Sequence, residues 1–343
     1  MRIRSTAATV DRPVGLVNGR RDIALLLGTG ALATLVPFLL PDASLLGVFA
    51  VMFIWIGTNV SWNVVLGYAG ILSFGQLAFF AVGAYASGML SVKLGTAPWL
   101  DTLAGLAVGG IAALLVGMAV MRLRGVYVAL ITLAFHQLLV SLISNDYSGF
   151  TGGPNGIGPI EPYLTTSNLV LQSAFGYWIG LATALIVAVA AILLMRSPIG
   201  LAIVAARDAE HVARARGVRV TGYRLVAFVF SGAAAGFMGA VYAHYNTIVS
   251  PQLFGFGILM MLLAMVIVGG WGTIWGPVIG TVLLTFVNYF AGGWWPGYEG
   301  LVSAVIMVVV ILFLRGGLVG VAEPRISFGR ITVRSLKGLP SER

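Results

Sequence analysis

Two polar segments in an otherwise apolar chain carry the residue types that could do chemistry. The first holds Arg207, Asp208, Glu210, His211 and Arg214. At about 100° per residue, a helix over Leu201–Arg216 puts Arg207, Glu210, His211 and Arg214 on one face and Ala205, Ala209 and Val212 opposite, with Gly217 as its C-cap. Such a helix can seat in a partner's groove, or it can rest on a membrane surface with its arginines reaching lipid phosphate. The second segment is Gly67–Gly88, where Gly67, Gly70 and Gly75 accompany Ser73 and Gln76. This reads as a loosely wound helix start whose free backbone groups can face a solute, although close packing through small residues would give the same spacing. Asn59, Ser61 and Asn63 precede it and are costly against lipid, so they should point into a bundle interior.

Two further groups complete the candidates. His136 and Gln137 fall in the middle of an apolar run, where a lone His reads first as a hydrogen-bonded packing residue. Thr151, Gly152, Gly153, Pro154, Asn155 and Gly156 rule out a continuous helix and mark a loop that could gate or dock a partner. Asn59, Asn63, Ser73, Gln76, His136 and Gln137 are the candidate translocation path.

Several chemistries have no residues to support them. No Gly-Lys-[Ser/Thr] occurs, because Lys93 and Lys337 follow Val92 and Leu336, so the chain has no phosphate-cradling loop. There is no His-Glu-x-x-His, no calcium-loop pattern and no cysteine, and the three histidines are scattered. No catalytic residue, metal or cofactor is expected, and uphill transport would draw ATP through another chain. The middles of the apolar runs also lack Asp, Glu, Lys and Arg, the groups on which proton-driven carriers depend. That weakens a secondary-carrier reading, with sodium coupling through carbonyls as its remaining form.

The elements that must position these residues follow from composition. Of 343 residues 59% are hydrophobic and 9% are charged, against about 25% charged in soluble domains. The chain therefore reads as an all-α polytopic membrane protein. A span takes about 20 apolar residues, and ten are expected: Ile23–Leu40, Ser44–Leu66, Gly70–Leu90, Thr102–Met121, Val126–Ile143, Phe175–Met195, Tyr223–Tyr245, Phe254–Val268, Pro277–Gly292 and Gly300–Leu314, the eighth and ninth short. With both termini cytoplasmic, every Lys and Arg except Lys93 falls inside: those before residue 22, Arg122 and Arg124, the cluster from Arg196 to Arg224, and the tail from Arg315 to Arg343. The net charge of +9 thus reflects topology and does not point to nucleic acid. The expected organisation is a cytoplasmic segment 1–22, a permease domain 23–315 with an outer loop 145–174 and an inner loop 197–222, and a basic cytoplasmic tail 316–343.

These segments in this order resemble the LivM-type permease of the branched-chain amino acid ABC importers. The resemblance rests on Gly-Tyr-Ala-Gly-Ile-Leu-Ser-Phe-Gly-Gln (67–76), Arg-Leu-Arg-Gly-Val-Tyr-Val-Ala-Leu-Ile-Thr-Leu-Ala-Phe (122–135), Thr-Gly-Gly-Pro-Asn-Gly-Ile (151–157), the stretch 197–218 and Val-Gly-Gly-Trp-Gly-Thr-Ile-Trp-Gly-Pro-Val-Ile-Gly (268–280). It covers about residues 45–315. It implies a multi-pass subunit of the bacterial inner membrane, partnered by a LivH-like second permease, two cytoplasmic P-loop ATPases and a periplasmic or lipid-anchored solute-binding protein. It also implies that Arg207–Gly217 is the coupling helix seated on an ATPase, and that the cargo is Leu, Ile or Val. Related permeases with the same motifs carry urea or short amides. The inner loop departs from the family in having only Asp208 and Glu210 as acidic residues among many arginines.

Overall fold

The computed structural model describes residues 19–123, 125–294, 305, 308 and 317–322. These residues form α1 (Gly19–Ala33), α2 (Val36–Leu39), α3 (Ala43–Asn63), α4 (Gln76–Leu94), α5 (Pro98–Val120), α6 (Val126–Ser144), α7 (Leu169–Arg196), α8 (Pro198–Asp208), α9 (Glu210–Ala215), α10 (Val220–Asn246), α11 (Phe256–Gly269), α12 (Trp275–Trp294) and α13 (Gly317–Ala322). Eight helical stretches are long and apolar enough to cross a membrane, and α11, at 14 residues, is shorter. The protein is an all-α, multi-pass membrane protein.

The first nine expected spans each have a helix, with two corrections. The third begins at Gln76 rather than Gly70, and the ninth is a full 20 residues rather than a short one. The tenth span, all but the end of the N-terminal segment, and most of the basic tail lie outside the described residues. The tail's start is an exception: α13 packs on α11 and α12, with Gly317 against Gly269 and Gly270.

Helix ends follow local chemistry. The Asp42 carboxylate accepts from the Ser44 and Leu45 amides and starts α3, and Asn168 does the same for α7. Pro98 and Pro198 occupy first turns, where a missing N–H costs nothing. Gly95, in the left-handed region, closes α4.

The centre of the bundle is α10, packed against α5 and α4, while α3 packs against α7 and α12. Among lipid-soluble helices no hydrophobic gain drives association, so backbones approach through small residues. Here Gly83 of α4, Gly105 and Gly109 of α5 and Gly232 and Gly236 of α10 meet almost backbone to backbone. On the membrane-facing side Leu103, Ile111, Leu115 and Met118 of α5 are exposed.

Candidate functional site

After Asn63 the third helix widens into a π-turn, Val64–Tyr68, and residues 70–75 run without helical structure until α4 begins. Irregular backbone at membrane depth survives only where other groups satisfy it, and here they do. The Trp62 indole donates to the Ser73 carbonyl at 2.8 Å, and the Phe74 amide donates to Thr132 Oγ1 at 2.9 Å. Asn63 reaches across to the turn after α11: its Nδ2 donates to the Thr273 carbonyl and its Oδ1 accepts from the Gly272 amide, each at 2.8 Å. A side chain at Gly67 would overlap Asn63 Oδ1 and the Gly272 amide, which is why glycine stands there.

The other candidate path residues divide. Asn59 is fully buried; its Nδ2 donates to Thr281 Oγ1 at 2.9 Å and lies 3.4 Å from Met265 Sδ. Gln76 ties three helices, donating to Ser61 Oγ and accepting from Ser231 Oγ, both at 2.8 Å. Ser73 is buried, and its hydroxyl accepts from the Gly75 amide at 3.3 Å. His136 is fully buried with the Phe254 backbone as its polar neighbour, and neither ring nitrogen meets hydrogen-bond geometry. Gln137 is exposed on the peripheral helix α6, so it faces lipid or another chain rather than the bundle interior.

For Gln76 and Ser73 the geometry changes the expected phenotype. As residues facing a solute, either replaced by Leu would impair uptake with assembly intact. Gln76 instead holds α3, α4 and α10 together, and Gln76→Leu strands the buried Ser231 hydroxyl and removes the donor to Ser61, which keeps its own bond to the Thr58 carbonyl. The expected outcome is a loss of about 1–3 kcal/mol of stability, read as a lower melting temperature of the detergent-solubilised protein.

The outer loop is a folded cap. Gly153–Asn155 is one 3-10 turn, and Gly152, Gly153 and Gly156 all have positive φ. Ile157 pairs antiparallel with Val249, and Gln252 donates to the Pro154 carbonyl at 3.2 Å, so the loop is fastened to the α10–α11 connection. Asp146 clasps its start. One carboxylate oxygen accepts from the Ser148 hydroxyl and amide, and the other accepts from the Thr151 hydroxyl and amide. These bonds, Ser148 foremost, hold the exposed carboxyl well below the usual carboxylate range. A depressed pKa means the clasp is present above the unfolded carboxylate's pKa and lost only as pH falls through the folded one. The loop should therefore resist protease equally at pH 7 and pH 5, and Asp146→Asn should make it nick faster at both.

Nearby, a buried polar group went unnoticed in the sequence. Asp101 reads there as a loop residue before the fourth span, but it lies buried in the first turn of α5 and accepts from the Thr96 hydroxyl. His244 donates from Nδ1 to the Glu161 carbonyl at 2.6 Å, accepts at Nε2 from Ser87, and has that nitrogen 3.7 Å from Asp101.

Over residues 197–222 the expected single helix is two. The chain breaks at Ala209 (φ −146°, ψ 66°), ending α8 and starting α9. Gly217 does cap it, at φ +82°: the Gly217 and Val218 amides donate to the Arg214 and Ala213 carbonyls. Two of the charges turn inward, Arg207 and Glu210, while Asp208, His211 and Arg214 stay exposed. Arg207 Nη1 donates to the Gly67 carbonyl at 2.8 Å, and its stem lies over Gly70. Glu210 accepts from Arg214 at 2.7 Å and from Arg224 of α10 at 3.2 Å. The small-residue face is the one left outward: Ala205, Ala209 and Val212 are exposed, with His211, Arg214 and Asp208 at its margins. The sequence offered no sign that Arg224, Gly272 and Thr273 would be the residues meeting these groups, since each pairing spans distant parts of the chain.

Comparison with known proteins places this arrangement. Residues 44–311 match the family described as branched-chain amino acid transport system / permease component. The chain is 31% identical to the high-affinity branched-chain amino acid transport system permease protein LivM of Salmonella typhimurium over 84% of its length and 73% of that protein's. It is 26% identical to the probable LivH permease of Methanocaldococcus jannaschii over 73% of the chain and 83% of the relative. It is 29% identical to the autoinducer 2 import system permease LsrC of Yersinia enterocolitica over 66% of the chain and 65% of the relative. No solved structure matches the chain. A family match over most of the chain, on a helical bundle with a folded α8–α9 pair, makes this protein a member of the branched-chain amino acid transport system permease family.

Proposed function

We propose that this chain is the LivM-type half of an ABC importer that carries Leu, Ile or Val across a bacterial inner membrane. In this reading a LivH-like permease completes the bundle, two cytoplasmic P-loop ATPases bind ATP and energise it, and a solute-binding protein delivers cargo at the outer cap. The chain itself binds no cofactor and acts as a transport subunit. The observation that carries the proposal is the LivM-like sequence, supported by a cytoplasmic helix pair joined to the broken helix start through Arg207. ATPase closure would move α8–α9, and Arg207 would pass that displacement to the backbone between α3 and α4, switching the bundle from outward- to inward-facing. A different small solute on the same machinery is the second reading, favoured by the likeness to LsrC, which imports autoinducer 2 by its name.

The outward face suggests which residues meet the ATPase. Val212 is 57% exposed between Ala209 and Ala215, a small apolar knob of the kind that anchors a helix in a groove. In cells lacking their own leucine importers, this chain with its partner subunits should restore [14C]leucine uptake, and Val212→Glu should abolish it by releasing the ATPases. Uptake of other solutes but not of leucine would replace the cargo assignment. The charge exchange Glu210→Arg with Arg214→Glu is a poorer probe, because it would set a cation at 210 against Arg224 and disrupt the loop itself.

A further inference from the structure

Between α3, α10, α11 and α12 lies a cleft of about 440 Å³, large enough for an aliphatic amino acid. We infer that this cleft is the solute-binding site of the permease, with an apolar wall for the side chain and a polar row for the amino and carboxyl groups; the inference rests on the proposed function above and deepens it.

The apolar wall is one face of α3 together with α11. Val48, Val51 and Trp55 recur at helical spacing along α3, and Met261 and Met265, one turn apart, face them from α11. Methionine adapts to branched side chains of differing shape. The polar row is on α12, where Thr285 and Asn288 line the cleft. Thr285 Oγ1 is buried and makes no hydrogen bond among the described residues, and a buried donor left unpaired is costly unless a ligand or water meets it. One turn further down α12, Thr281 pairs with Asn59, whose Oδ1 is likewise buried and unpaired and whose amide touches Met265, a wall residue of the cleft. Below them come the Asn63–Thr273 and Asn63–Gly272 bonds and then Gly67, held by Arg207. Polar groups thus recur about one helical turn apart from the cleft to Gly67 and Arg207. A few placed polar groups in a mostly apolar concavity are what recognition of a small zwitterion needs.

A second large cavity, about 550 Å³ between α1, α3, α7 and α12, has among the described residues Thr29 as its one polar side chain apart from the Trp275 indole. It offers nothing to the charged ends of an amino acid, and it does not join the polar row.

The chain has no cysteine, so Val51→Cys brings its one thiol, and the control is that the reagent leaves uptake by the unmodified importer unchanged. In cells carrying the whole importer, Val51→Cys should react with a small cationic methanethiosulfonate reagent added outside, and that reaction should stop [14C]leucine uptake. Thr285→Val, which keeps the shape and removes the hydroxyl, should slow uptake about fivefold at an unchanged amount of membrane-inserted chain. Reaction at Val51→Cys with uptake unimpaired would overturn the inference, as would failure of the reagent to react because a partner helix fills the cleft. Absence of leucine uptake in the unmodified importer would instead remove the proposed function, and the inference with it.

Discussion

Arg207→Ala is expected to reduce leucine uptake roughly ten- to a hundredfold while the transporter still assembles and still hydrolyses ATP. The reason lies in what Arg207 joins. Its guanidinium donates to the Gly67 carbonyl at the bottom of the α3 π-turn, and the same group holds Asp208 at 2.7 Å. A hydrogen bond from a charged donor contributes about 1.5–3 kcal/mol, and that converts to the stated range if it is formed more strongly in one state of the cycle than in the other. Arg207→Lys should rescue only partly, because a point charge on a different stem does not reproduce the planar donor set. Gly70→Ala should mimic the loss from the other side. At φ +65° an added Cβ is strained, and it would sit 2.7 Å from Arg207 Cγ. The check is leucine accumulated per ATP hydrolysed in vesicles containing the whole importer. Uptake and coupling equal to wild type in Arg207→Ala would show that displacement reaches the membrane helices by another route.

The largest structural effect should come from Gly236→Val, which we expect to prevent accumulation of folded protein in the membrane. A Cβ there would overlap the Gly105 carbonyl and lie 2.8 Å from Gly109 Cα, and Gly83 presses on Gly236 from α4. The obstacles are backbone, so no rotamer change relieves them, and α10 must move away from both α4 and α5. Overpacking typically costs about 1–3 kcal/mol where side chains can yield, and here they cannot. Gly222→Ala is the control. It is at the exposed start of the same helix, with its nearest obstacle 4.0 Å away, and helix propensity favours the alanine there. Comparing membrane-inserted yield and melting temperature of the two variants in detergent separates tight packing from a general intolerance of change in α10.

The two glycine settings show what a sequence can reveal and where it stops. Spans were legible because apolar length and the one-sided placement of Arg and Lys are properties of the chain read in order. The seam of Gly232 and Gly236 lies in a run of small residues, Ser-Gly-Ala-Ala-Ala-Gly (231–236), of the kind that lets helices pack closely. The broken start at Gly67–Gly75 was visible as a cluster of glycines, but not its extent, since π-widening after Asn63 depends on Thr273 and Gly272 arriving from more than 200 positions away. The inner-loop charges illustrate the same limit. Helical periodicity put Arg207, Glu210 and Arg214 on one face, but the break at Ala209 leaves Arg207 on α8 with Gly67 and Asp208 and leaves Glu210 on α9 with Arg214 and Arg224. The break at Ala209 has no helix-breaking residue to announce it. Gln137, a candidate path residue by its place in mid-span, is exposed on α6, whose outer face is left to lipid or to a second chain. The cleft residues Thr285 and Asn288 were hidden in an apolar run as single polar positions.

The central claim is that this chain works as one permease of an ATP-driven assembly. It is tested most directly by isolating the tagged full-length chain from its native host in mild detergent and identifying the proteins that accompany it by mass. Recovery of two P-loop ATPases and a second, LivH-like permease is the predicted result. Recovery of the chain alone or as a homodimer, under conditions that keep other ABC assemblies intact, would contradict the account and revive an ion-coupled carrier.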